Sequence, residues 1–286
     1  MCINSIGSTL SLVASTAWHL VNSSIFIAFV GGFSGAMGGA LGAQRIAERS
    51  RKRQERLKEL RYTNSAIMIA HTICNAAIAT KKQHVKPMRD EFLRKKEQLN
   101  EIKAKIAKTG SYSKDAIHMQ MDLRTFPSPV VPIDTLKHVV FRELSSVGRP
   151  LALVAMIEQT LIGLANTIAR RDQIIQSFSS NEIPPNRQIN YYFGLPFQEG
   201  HINQEYPDLV DGIYSYVDDL AFFSHQLCID LIKHGTKVRK ELTEGKSTKQ
   251  VPRVSEADFS SPLKSGLIPP DSEYRDWTSA YVEMKE

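Results

Sequence analysis

Two histidine–cysteine pairs are the residues best suited to chemistry in this chain: His71-Thr-Ile-Cys74 and His225-Gln-Leu-Cys228. On a helix, a three-residue spacing sets both side chains on one face, which is how bundle metal sites are built. Two such faces meeting would offer two imidazoles and two thiolates, a tetrahedral set suited to zinc. The same residues also make ordinary core, since a buried cysteine behaves as a small apolar side chain. The spacing belongs to no known finger or ribbon, which favours packing. A nucleophilic pairing of His71 with Cys74 is a further arrangement.

Other chemical groups are thinner. Glu158 interrupts an apolar run and could be a buried acid with a raised pKa, or could point to a polar edge of the bundle or pair with an arginine. Asp218 and Asp219 are adjacent and diverge on a helix, so they make a poor carboxylate pair. The one glycine cluster lies in an apolar segment, so no phosphate-cradling loop is present. The aromatic stretch with Tyr191, Tyr192, Phe193 and Phe197 could cover a groove or close a bundle end.

These residues must be held by helices. From Ala43 to Lys86 the chain lacks Gly and Pro, and Leu60, Ile67, Cys74 and Ile78 form a heptad-like, coiled-coil-type line. Met88 to Lys108 is charged and follows Pro87. Residues 109–132 read as a loop, and a helix is expected from about Ile133 to Val147. A Gly-Arg-Pro break precedes the clearest helix, Leu151 to Phe178, with Val154, Ile157, Leu161, Leu164, Ile168, Ile175 and Phe178 as its seam. A loop is expected over 179–207. Asp208 then caps a helix to about Leu242 carrying Leu209, Ile213, Tyr216, Leu220, Phe223, Leu227, Leu231 and Val238 on one face. Burying sequential seams of this kind predicts an antiparallel helical bundle. Residues 244–286, rich in Ser, Pro and mixed charge, predict a flexible C-terminal tail in which Tyr274, Trp277 and Tyr281 could dock on the bundle or on a partner.

Charge locates the chain. No Lys, Arg, Asp or Glu occurs from Met1 to Gln44, whereas Arg45 to Arg61 holds eight basic and three acidic residues out of a net charge of +6. The nineteen residues Ser24–Gly42 are uncharged and, at about 1.5 Å per residue, nearly match a hydrocarbon core of about 30 Å. The expectation is a transmembrane helix over 24–43, with 1–23 as an external or interfacial segment. Arg45, Arg49, Arg51, Lys52 and Arg53 flank the span on one side and place the bulk of the chain in the cytoplasm. A cleaved signal peptide would need the opposite polarity. The same cations suit anionic lipid headgroups, which the adjacency to the span favours over nucleic acid. Gly31, Gly35, Gly39 and Ala43 form a small-residue stripe, a glycine zipper that suits self-association into a homo-oligomer. The three cysteines, Cys2, Cys74 and Cys228, fit free thiols in a reducing compartment better than disulfides.

The blocks AQRIAER (43–49), LRYTNSAIMIAHTICNAA (60–77) and KKQHVKP (81–87) resemble stretches of bacterial membrane-anchored proteins without an assigned activity. The resemblance covers about a sixth of the chain. It implies a bacterial inner-membrane setting and carries no catalytic residues.

The sequence therefore predicts an all-α protein: an N-terminal transmembrane helix (24–43), a basic juxtamembrane and long helical segment (44–108), the remainder of a cytoplasmic bundle (109–243) and a tail. The function expected is a non-enzymatic, self-associating adaptor or membrane effector that docks a cytoplasmic protein. Two other readings are a zinc protein or enzyme using the His-x-x-Cys faces, and a pore-forming effector.

Overall fold

The computed structural model describes residues 24–109, 119–146, 148–197, 200–244 and 251–281, with side chains from Gly39 onward. The expectations for 1–23 lie outside these residues. Among the described residues all regular structure is helical, and the one extended pairing is an isolated bridge between Pro196 and Ile202. The chain divides into two units, Met1–Leu57 and Lys58–Glu286.

Helix α1 is Ser24–Thr80. Its good helix formers and the absence of Gly and Pro after Gly42 let it run on, supported by ion pairs one turn apart such as Glu48–Lys52 (2.8 Å) and Arg51–Glu55 (2.9 Å). A π-helical turn, Lys81–Val85, then leads into α2, Lys86–Thr109. Pro87 has no amide hydrogen for the preceding turn, and the wider turn takes up the change in pairing. The chain therefore stays helical through the proline.

In the second unit, α3 (Ile133–His138) ends in a π-helical turn, Val139–Glu143. The expected helix to Val147 stops there because Leu144 is extended and Ser145 turns its amide and hydroxyl onto Glu59. Helix α4 spans Arg149–Ser179, entered through Gly148 at φ 72° and Pro150. The stretch expected to be loop contains a helix, α5, Pro185–Phe193. Pro185 suits a first turn, where its missing N–H has no partner to lose. Gly194, at φ 65°, provides the left-handed stop, with the Leu195 amide donating to the Asn190 carbonyl at 2.8 Å.

Helix α6, Glu205–Thr243, begins before Asp208 because the Asn203 side chain accepts the Glu205 amide at 2.8 Å. Asp208 thus sits in the first turn, not at the cap. Helix α6 is the centre of the unit: Val210, Ile213, Val217, Leu220, Leu227 and Leu231 are all buried. Its contacts with α1 pair Glu59 with His234, Ile67 with Cys228, Cys74 with Ala221 and Lys81 with Asp218. Those with α4 pair Arg149 with Asp230, Gly163 with Tyr216 and Arg170 with Glu205. In both sets the α6 partner falls in number as the other rises.

Among the described residues, α4 is the one helix long and apolar enough to cross a membrane. Its seam of Leu153, Val154, Ile157, Leu164 and Ile168 is buried, and α4 packs extensively on α6. Arg171 on the same helix is fully buried.

The expected flexible tail is different in the structure. Residues 251–281 form short helices α7 (Ser260–Lys264) and α8 (Arg275–Ser279) around a 3-10 turn, Asp271–Tyr274, and they pack on the bundle. Val251, Phe259 and Ile268 are buried. Composition hid this because three apolar anchors among many polar residues do not make a periodic pattern.

Candidate functional site

The two His-x-x-Cys faces do meet, at the α1–α6 interface. Local helix geometry puts His71 and Cys74 on the inner side of α1, and His225 and Cys228 on the inner side of α6. They do not meet as a metal cage. Phe259 stands between the imidazoles, its ring centroid 5.4 Å from that of His71 and 4.6 Å from that of His225. Each thiol donates across the interface to a carbonyl: Cys74 to Ala221 at 3.5 Å, Cys228 to Ile67 at 3.7 Å. Ile67 lies seven residues from Cys74, and Ala221 seven from Cys228, about 10 Å along a helix axis. Each thiol is thus engaged by the backbone of the opposite helix. Among the described residues no group of three or more His, Cys, Asp or Glu side chains could hold a metal ion.

The chemistry of the thiols agrees with that geometry. Burial pushes the Cys74 thiol up to about 12, and burial together with the neighbouring Cys74 pushes the Cys228 thiol up as well. A thiolate is the nucleophile and the metal ligand, and both groups hold their protons here. His71 has Asn75 Nδ2 within 3.3 Å of its ring and gives no proton acceptor for Cys74. The sequence pairing of these residues is a packing feature of the α1–α6 seam.

The remaining sequence candidates are placed as follows. Glu158 accepts from Lys137 at 2.6 Å at the bundle edge. Asp218 and Asp219 diverge: the first pairs with Lys81 at 2.5 Å, the second accepts the Tyr274 hydroxyl at 2.6 Å. Burial is the largest influence on both and holds their pKa above the usual carboxylate value. Tyr192 and Phe193 of the aromatic stretch are buried against Phe92 and Tyr206, which closes one end of the bundle. In the first unit, Arg45, Arg49, Arg51 and Lys52 are exposed and Arg53 is partly exposed. Gly39 and Ala43 are exposed, and nothing lies near Gly39 or Gly42. Gly31 and Gly35 fall within α1, where side-chain surroundings are outside the described residues.

Three polar nodes carried no sequence signal. At one end of the α1–α6 seam, a single oxygen of buried Glu59 receives the Ser145 amide (3.1 Å), the Ser145 hydroxyl and His234 Nε2 (3.0 Å). Along α6, Lys81, only 2% exposed, meets Asp218 and donates to the Gly266 and Leu267 carbonyls at 3.3 Å. Fully buried Arg171 donates to the carbonyls of Arg124 (3.0 Å) and Asp122 (3.4 Å) and lies over the rings of Phe126 and Tyr206. Each node ties helices to a non-helical segment, and each is made of residues far apart in sequence. A cleft of about 660 Å³ is lined by Thr236, Arg239, Lys240, Arg253 and Glu256, but Arg239 there donates to the Pro252 carbonyl at 3.2 Å. Its cations sit at the C-terminal end of α6, where they complement the helix dipole.

With this geometry in hand, the chain matches no protein-family model, no curated protein and no solved structure.

Proposed function

We propose that this protein is a non-enzymatic, self-associating membrane adaptor, anchored by residues 24–43 and presenting an antiparallel helical bundle to a protein partner in the cytoplasm. The observation that carries the reading is helix α1. The element that contains the uncharged run and the basic residues Arg45, Arg49, Arg51, Lys52 and Arg53 is the same element that enters the α1–α6 seam. An uncharged run followed on one side by clustered cations suits a protein held at a membrane surface. The anchor is assigned to 24–43 and not to α4, because the apolar seam of α4 is already occupied by α6.

The opposed numbering of the α1–α6 and α4–α6 contacts supports the antiparallel arrangement. The orientation, with the N-terminus outside, follows from cations lying on one side of the run only. The exposed cations fit anionic headgroups, and the small-residue stripe, of which Gly39 and Ala43 are exposed, suits contact with a second copy. The protonated, carbonyl-bonded thiols favour an adaptor over a thiol enzyme.

The test is crosslinking of the full-length chain in membranes, with Gly35→Leu as the variant. Discrete oligomers are expected for the parent chain and a strong loss of them for Gly35→Leu. Monomer alone, or oligomers unchanged by the substitution, would remove the self-association part of the reading.

A further inference from the structure

We propose that the segment 251–281 is a latch that opens on acidification, with Phe259, held between His71 and His225, as its release point. This proposal stands independently of the membrane reading.

The latch is attached at separate places. Asn64 clasps its start, donating to the Arg253 carbonyl at 2.8 Å and accepting the Ser255 amide at 2.9 Å. Phe259 enters the α1–α6 seam and is 7% exposed. Lys81 holds the Gly266 and Leu267 carbonyls, and Gln226 donates to Asp271 at 2.8 Å. Finally Tyr274 stacks on Phe222 at 3.8 Å and 9°, and Trp277 lies 5.0 Å from the ring of Phe223. Opening uncovers Phe222 and Phe223 of α6, an aromatic surface that water does not otherwise reach.

The imidazoles are where acid acts. Both rings meet Phe259 edge to face, and His225 is itself buried at 8% exposure. Protonation of His225 would put a cation in a site closed to water, against one side of Phe259. Burial holds His225 below its ordinary 6.5, and Asp271 on the latch only partly offsets this. The other titratable groups around the seam are Cys74 on α1, Cys228, Asp218 and Asp219 on α6, and Asp258 and Glu273 on the latch. The thiols are protonated throughout the range. Protonation of Asp218 and Asp219, whose pKa burial raises, favours the closed form. They therefore act in the opposite direction to His225.

The sign is fixed by linkage. The closed state binds the His225 proton less well than the open state, so closure is complete above the ordinary histidine value. It weakens as pH falls through 6.5 and levels off below the depressed value in the closed state. One proton changes the closing constant by up to about tenfold per pH unit in that window.

The chain has two tryptophans, so Trp18→Phe leaves Trp277 as a reporter on the latch itself. The experiment is a titration of the purified full-length Trp18→Phe protein from pH 7.5 to pH 5, following tryptophan emission with far-UV circular dichroism as a check on the helices. The expected result is a red shift of Trp277 with unchanged helicity. Phe259→Ala should show the shifted emission at both ends of the titration. His225→Gln should remain closed at pH 5, and His225→Leu serves as a second uncharged variant if the first does not fold. An emission that does not move overturns the proposal. So does a shift retained in the folded His225 variants, which would place the responsible proton elsewhere, or a shift that accompanies loss of helicity.

Discussion

Replacing Lys81 by Met is the sharpest test of how the bundle and residues 251–281 are held together. The ammonium is 2% exposed, forms an ion pair with Asp218 at 2.5 Å and donates to two carbonyls at 3.3 Å. Removing it leaves the Asp218 carboxylate, 14% exposed, without a counterion in a site that already raises its pKa by burial. Breaking a buried pair from one side costs about 3–5 kcal/mol, so Lys81→Met should destabilise by that amount. Removing both charges in Lys81→Met with Asp218→Leu eliminates the orphaned carboxylate but still leaves the Gly266 and Leu267 carbonyls short of a donor. The double variant should therefore lose only about 1–2 kcal/mol, close to one or two ordinary hydrogen bonds. The implied coupling between the two sites is about 2 kcal/mol or more. Urea unfolding of the full-length chain, followed by far-UV circular dichroism, measures all four corners of the cycle. A Lys81→Met loss below about 1 kcal/mol would refute the reasoning, because that is the scale of a solvent-screened surface pair.

Two further outcomes follow from the same packing. At Gly163 an added Cβ would lie 2.6 Å from the Tyr216 ring, so Gly163→Ala should overpack the α4–α6 contact and cost about 1–3 kcal/mol in the same unfolding assay. The protein purified without chelators should carry under about a tenth of an equivalent of zinc by elemental analysis, since each thiol is engaged by a carbonyl of the opposite helix and Phe259 stands between the imidazoles. A stoichiometric metal content would show that the two cysteines leave their carbonyls for a shared centre.

The long helices were legible in the sequence because their signal is local. The seam of α4 repeats every three or four residues, and Gly148 and Pro150 mark its start, so a window of thirty residues contains the whole pattern. The same holds for the face of α6 and for the line from Leu60 to Ile78. The His-x-x-Cys pairs were legible too, as pairs on one helix face each. Whether their four side chains converge was not, because that depends on the register between α1 and α6 and on Phe259, which arrives from more than thirty residues beyond Cys228. Helix α5 escaped for a different reason: nine residues between prolines and a left-handed glycine are too short for periodicity.

The one-dimensional pattern thus determined where the chain is helical, where it breaks, and where its charge begins. Tertiary structure alone decided the partners. Lys81 gives no sign in sequence that it is buried, and only the opposed register of α1 and α6 brings it to Asp218. Glu59 is one of the three acidic residues between Arg45 and Arg61, and only the fold brings Ser145 and His234 onto it. Residues 251–281 read as loose chain because three anchors, Val251, Phe259 and Ile268, gain burial only from a surface made by other helices. Backbone propensity acts between near neighbours and is written locally. The pairing of buried charges and the docking of an aperiodic segment are properties of a surface that exists only once the helices have packed.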